Sequence, residues 1–478
     1  MRWQSPQAQL GVLFAYSVLL IAVPGFLAPC AMTLLHETRT RPYEETWHEQ
    51  LVLGVLGLAA ILATNLLGPR ILLLAGSLTG TLLSVATVVG AYKLPGWHSF
   101  FVAAKGIDDC GRTMARVCMG TMMLTYPREQ RKARVLAMFQ LVVDVFLTVG
   151  QVLEHSSGAH SGRGRGAAMG AAWSRLAFTC LSAVCVLAIV PVTQVVRDSG
   201  LFVLARPTTS LREELRRTAR IFGNRYMLLL MPYMYSLAFT LGIMGISLPN
   251  YQSVLLYNIG SLLALVLAAA LDVGSRLRKR RAQLGFAVAS FVTAVCVTSM
   301  AVLNTRPVDV AQLPGLAALP GAAVNAYRME HYSALYYATV LFNGMSISCV
   351  FLFSAWIIGS LTNDVEYTAR FTGTLLSVPA LGNLTALLCL GPDDARLNVP
   401  SNVPLYVGAG LLALSSAAMY YVVHHITDTN DWSLVCMGNT CHHTPSAAPL
   451  MQSCVVSMSE DIDGLGRSSI AKRPLPDA

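Results

Sequence analysis

Residues 51–92 read LVLGVLGLAAILATNLLGPRILLLAGSLTGTLLSVATVVGAY, with Arg70 the one charged side chain in the stretch. The stretch divides at Gly68-Pro69-Arg70 into apolar runs over 51–68 and 70–91. Each is close to the ~20 residues that a helix needs to cross a ~30 Å hydrocarbon layer. A surface helix of a water-soluble protein keeps a polar face, and neither run has one. The reading is therefore a membrane hairpin. Working outward with 19-residue windows, similar runs fall near 10–33, 97–125, 134–154, 167–192, 226–245, 253–271, 283–303, 334–360, 366–391 and 402–426. The expected fold is all-α: a polytopic membrane protein of about twelve transmembrane helices in two six-helix bundles. The first run, Leu10 to Met32, is longer than the apolar part of a secretory leader and reads as a retained span.

Composition agrees. Of 478 residues, 54% are hydrophobic and 12% charged, where soluble domains carry about 25% charged residues. The net charge of +9 does not gather on one soluble face, so it gives no reason to expect nucleic acid as a partner. It tracks topology instead: 22 lysines and arginines lie on the side of the N-terminus, with Arg70, Arg134 and Arg370 at the span ends counted there, 8 on the other side and 4 inside spans. The positive-inside rule then predicts both termini in the cytosol. Of eleven cysteines, eight fall inside spans (Cys30, Cys110, Cys118, Cys180, Cys185, Cys296, Cys349, Cys389) and read as small buried hydrophobes. Cys436, Cys441 and Cys454 lie in the tail.

The segment 194–225 carries seven arginines and separates the sixth span from the seventh. It contains a short amphipathic helix from Ser210 to Phe222, either a solvated linker or a membrane-surface helix. The expected organisation is thus a six-helix bundle over 1–193, a basic cytosolic linker over 194–225, a second bundle over 226–426 and a disordered cytosolic tail over 427–478. Two parallel halves should carry related signals after their second spans. Asn65, Gly68 and Arg70 follow the second span; Asp272, Gly274 and Arg276 follow the eighth, ahead of the basic run 278–281. Each set joins a polar side chain, a glycine and a cation, which makes Asn65, Gly68, Arg70, Asp272 and Arg276 candidates for a gating loop.

That loop, with the stretch 117–150 (VCMGTMMLTYPREQRKARVLAMFQLVVDVFLTVG), resembles the fungal branch of the uncoordinated-ninety-three-like family, relatives of the major facilitator superfamily. The matching features are Gly68-Pro69-Arg70, Gly76, Gly120, Met122-Met123, Tyr126-Pro127, Lys132, Phe139 and Gly150. In the second half they are Tyr226 to Pro232, Leu271-Asp272, Arg281-Ala282 and Arg370-Phe371-Thr372-Gly373. The chain departs from the family where Asn65 replaces an aspartate and where Leu376 and Pro379 replace a polar pair in the eleventh span. The resemblance implies a major-facilitator fold. Because the family takes its name from a regulator of a potassium channel, it also implies a regulatory alternative to transport.

The fourth span contains KGIDDCGRTMARVCMG, in which Lys105, Asp109, Arg112 and Arg116 recur at intervals of four, three and four and share one helical face. Asp108 lies beside them, and Asp144 falls at similar depth in the fifth span. A charge at the bilayer centre costs roughly 2.5–3.5 kcal/mol on insertion scales, so these six residues are expected to face protein, water or each other. Three readings stand: a self-neutralising network in which Arg112 or Arg116 pairs with Asp109 or Asp144; a cavity in which arginines bind an anionic solute and Asp144 carries a proton; or a misplaced span.

Elsewhere the chain offers little chemistry. The pattern Cys436, Cys441, His442, His443 matches no zinc template, and Asn383-Leu-Thr385 is a sequon inside a span. No phosphate loop or nucleophile elbow occurs, so neither cofactor, metal nor catalysis is expected. The leading expectation is a transporter of a small, in one reading anionic, solute by alternating access in a lipid bilayer. The alternative is a non-transporting regulator of an ion channel or trafficking partner. Family analogy points to the plasma membrane or the vacuolar/endosomal membrane.

Overall fold

The structure is a computed structural model; it describes residues 5–32, 42–92, 94, 96–127, 131–156, 165–195, 210–244, 251–270, 277–306, 328–361, 365–390 and 402–426. The first span is α1 (Pro6–Ser17), a π-helical stretch (Val18–Ala22) and α2 (Val23–Met32) in succession. The next five are α3 (Pro42–Leu67), α4 (Pro69–Ala91), α5 (Trp97–Thr125), α6 (Lys132–Ser156) and α7 (Arg165–Leu187). A short helix, α8 (Leu211–Phe222), precedes the last six: α9 (Arg225–Met244), α10 (Tyr251–Ala270), α11 (Arg278–Thr305), α12 (Ser333–Leu361), α13 (Val365–Leu390) and α14 (Asn402–His424).

Eleven spans among the described residues are long and apolar enough to cross a membrane. The twelfth, α5, is 29 residues long and misses that description because it carries Lys105, Asp108, Asp109, Arg112 and Arg116. The expected count of about twelve holds. Between α3 and α4 the chain turns at Gly68, whose φ of +82° is left-handed space that a side chain would strain, and Pro69 then opens α4. Serines and threonines inside the spans return their hydroxyls to the carbonyl a turn earlier, as Thr64 does to Ala60 and Thr87 to Leu83. That satisfies in place polar groups that lipid cannot.

The described residues belong to one compact unit; residues 431–478, with the tail cysteines and histidines, lie outside the described residues. Among the first six spans α2 packs on α6 and α7, α4 on α5 and α7, and α3 on α5. Among the last six, α13 and α14 pack on α9, α10 and α11 on α12, and α11 on α14. Two seams join the sets, α3 and α5 against α13 and α6 against α10. The helix ends nearest α8 make one face of the molecule, the linker face. Large side chains such as Leu414 (73% exposed) and Phe291 (68%) point outward, a placement suited to acyl chains and not to water.

Candidate functional site

Helix α8 starts as its sequence implies, with Ser210 in an extended conformation accepting a hydrogen bond from the Glu213 amide. Its exposed faces carry Arg212, Arg216 and Arg220 together with Leu211, Leu215 and Phe222; the inner face buries Glu214 and Ile221. Glu214 is wholly buried; Thr218, one turn along α8, donates Oγ1 to its Oε1 (3.4 Å), and two other helices reach it. Arg370 of α13 donates through Nε to Oε1 (2.7 Å) and through Nη2 to Oε2 (2.6 Å), and Asn65 of α3 donates through Nδ2 to Oε1 (2.6 Å). Arg370 is itself 1% exposed and stacks over Tyr367. A fork-to-fork pair of this kind is among the stronger polar contacts a protein makes, and its planar geometry fixes orientation.

The linker therefore ties the end of the second span to the start of the eleventh. The asparagine at 65 acquires a reason: with the carboxylate supplied by α8, the position needs a donor, and an aspartate there would repel Glu214. Of the other gating-loop candidates, Gly68 makes the turn, and Arg70 donates to the Leu187 carbonyl (3.1 Å) at the end of α7, where a helix dipole favours a cation. Asp272 and Arg276 lie outside the described residues. Two further ties cross at the same face. Lys132, buried at the start of α6, donates to the Gly359 carbonyl near the end of α12, and Gly120 of α5 sits so close to Thr372 of α13 that a Cβ would fall 2.5 Å from Thr372 Cγ2.

At middle depth the charges sort differently from the sequence expectation. Asp108 is 1% exposed and pairs with Arg112, Nε to Oδ2 2.5 Å, one turn along the same helix. It faces α4 and α7, because a Cβ on Gly80 would lie 3.5 Å from Asp108 Oδ1 and 3.8 Å from Thr179 Cγ2. Arg175 of α7, 5% exposed and not singled out by the sequence, is close enough to interact with both Asp108 and Arg112. The cluster thus belongs to the interior of the first six spans. Lys105 and Asp109 are half-buried and Arg116 is exposed.

Among the described residues Asp144 takes no arginine. It accepts from Gln140 Nε2 (2.7 Å) and from Ser261 Oγ of α10 (2.5 Å), and Ser261 in turn shares a hydrogen bond with Ser348 of α12 (2.6 Å). Of the two carboxylates that the network reading offers to Arg112 or Arg116, Asp109 and Asp144, Asp144 instead joins a hydroxyl chain across the seam between the halves. Nothing in the spacing of the fifth span points to Ser261, which lies 117 residues away. Among the described residues no cluster of histidine, cysteine and carboxylate side chains could hold a metal ion.

No family model matches the chain. Two Arabidopsis thaliana relatives, UNC93-like protein 1 and UNC93-like protein 2, are each 22% identical over 386 residues, covering 77% of this chain and 79% of their own. Among solved structures, that of the E. coli fucose:proton symporter FucP superposes with a TM-score of 0.55 at 13% identity, over 89% of this chain and 100% of its own. FucP in the outward conformation gives 0.54, again at 13%, over 88% and 99%. The chain is accordingly a multi-pass membrane protein with the major-facilitator fold, similar to UNC93-like proteins over about three quarters of its length.

Proposed function

We propose that the chain moves a small solute across the membrane by alternating access, its two six-span halves (1–193 and 226–426) rocking about the seams joined by the linker 194–225. The observation that carries this reading is the make-up of those seams: discrete polar ties at Glu214–Arg370–Asn65, Lys132–Gly359 and Asp144–Ser261, which a rocking motion can break and remake. A fused apolar interface would not serve. The fold shared with FucP, which its structure describes as a fucose:proton symporter, supports the same reading.

Asp144 is the coupling carboxylate in this scheme. Its partners Gln140 and Ser261 are neutral, so it can change charge without breaking an ion pair, and it bridges the halves at middle depth. Arg112 and Arg116 are the candidates for attracting an anionic solute, within the charged face that Lys105 and Asp109 share; Arg112 pairs with Asp108. The linker face with both termini is cytosolic by the charge rule, the chain belongs with the fungal branch of its relatives, and its membrane is the plasma or vacuolar/endosomal one. A regulator of a channel or trafficking partner is the second reading. It is favoured by one observation, the withdrawal of Asp108, Arg112 and Arg175 into the first bundle as a structural network.

Uptake of small sugars and carboxylates into proteoliposomes under an imposed pH gradient tests the assignment. Gradient-driven uptake is expected for the parent, with Asp144→Asn losing it while retaining solute exchange. A parent that moves no solute in any arm and instead purifies with a stoichiometric membrane partner supports the regulator.

A further inference from the structure

Near the linker face, α10 and α11 both pack on α12 but share little direct contact, and a cavity of about 290 Å³ opens between them with α12 as its floor. Its walls are small or aliphatic, Ala264, Ala268, Gly285 and Ala289 among them, and Leu267 and Leu284 at its flanks are each 39% exposed. The cavity is therefore a groove open sideways to the bilayer. It is too small for a helix, which is about 10 Å across with its side chains; an extended hydrocarbon chain suits it.

The mouth of the groove is cationic. Residues 278–281 are Arg-Lys-Arg-Arg, the first turn of α11. Arg281 precedes Leu284 and Gly285 by three and four residues, hence stands directly over the groove wall. It is 7% exposed, with its guanidinium 5.8 Å from the ring centroid of Trp356, which lines the floor. Arg280 is exposed and lies one turn above Leu284. Arg278, on the same face as Arg281, donates to the Ser360 carbonyl at the end of α12 (3.4 Å). A greasy slot capped by a buried and an exposed guanidinium at headgroup level matches one class of molecule.

We propose that this groove is a binding site for an anionic glycerophospholipid, one acyl chain lying along Ala268 and Gly285 and the phosphate together with the headgroup's further negative charge held by Arg280 and Arg281. The site stands on its own geometry and is independent of whether the protein transports. Basic pockets between spans at the leaflet boundary are a recurrent way of holding such headgroups. Occupancy would wedge α10 against α12 and so bear on the helix that carries Ser261.

The test uses the full chain in detergent, with lipid adducts read by native mass spectrometry and melting read by thermal shift. Phosphatidylserine is expected to bind and raise the melting temperature, phosphatidylcholine to do so far less, and soluble glycerophosphoserine to do neither. Arg280→Gln, on the surface and safe for folding, should weaken phosphatidylserine about fivefold, the share one such cation contributes at an anionic surface. Ala268→Phe, which fills the slot, should abolish the adduct while leaving the lipid-free melting temperature within a few degrees. Equal binding of the two lipids, equal binding of glycerophosphoserine, or an unchanged affinity in Arg280→Gln overturns the proposal.

Discussion

At the scale of single residues, the carboxylate of Glu214 ties the end of α3 to the start of α13, and the proposed rocking makes it the latch of the linker face. Breaking a buried ion pair from one side leaves the other charge stranded, at a cost of about 3–5 kcal/mol. Glu214→Ala is therefore expected to raise hydrogen exchange in 60–67 and 365–374, the segments it helps to bring together. Replacing Arg370 and Glu214 together by apolar residues should cost much less than either alone. Asn65→Asp makes a sharper probe because the change is small: it sets a second carboxylate beside Glu214 and should open the same segments, whereas Asn65→Ser should not. Part of this was legible in the sequence and part was not. The Ser210 cap and the helix over 210–222 are local, written in residues one turn apart, and the structure has both. The partner of Glu214 lies 156 residues away on α13, and no periodicity reports such a distance. The signal present was an acidic residue at the buried phase of an arginine-rich helix. A like limit explains Asp144, whose depth was readable but whose hydroxyl partner on α10 was not.

Between elements, close approach is set by glycine. Gly260 of α10 and Gly344 of α12 meet so tightly that a Cβ on either would fall 2.0 Å from a carbonyl oxygen of the other helix, Leu341 and Tyr257 respectively. Backbone oxygens cannot swing aside, so Gly344→Ala should lower stability by about 1–3 kcal/mol, as overpacking does. Gly410 of α14 has nothing within 4 Å of the same position, and Gly410→Ala should be neutral or stabilising by up to about 1 kcal/mol. Thermal melts of the two variants side by side check the contrast. The spans themselves were legible because lipid demands long apolar runs, and even α5 was found despite its charges. Which of its faces would turn inward was harder to read: Lys105, Asp109, Arg112 and Arg116 share a stripe, yet it is Asp108, one position aside, that sinks against α4 and α7. Arg175 on a different span completes that network, and its own surroundings gave no hint of it.

For the whole molecule, the cross-half contacts run from middle depth to the linker face. Gly57 of α3 and Gly373 of α13 nearly touch, a Cβ on Gly373 lying 2.8 Å from the Gly57 carbonyl oxygen, and Gly359 of α12 lies against Leu124 and Lys132. A two-state protein held this way should respond to loss of the tie by opening at that face and closing at the other. Spin labels in a cysteine-free background report it directly, one pair at Leu67 and Leu277 on the linker face and another at Leu94 and Val403 on the far face, all four positions being exposed. In the parent the first pair should give the shorter, narrower distance distribution; in Glu214→Ala the first distance should lengthen as the second shortens. Unchanged distances in Glu214→Ala, or a lengthening of both together, would contradict two bundles latched through the linker helix.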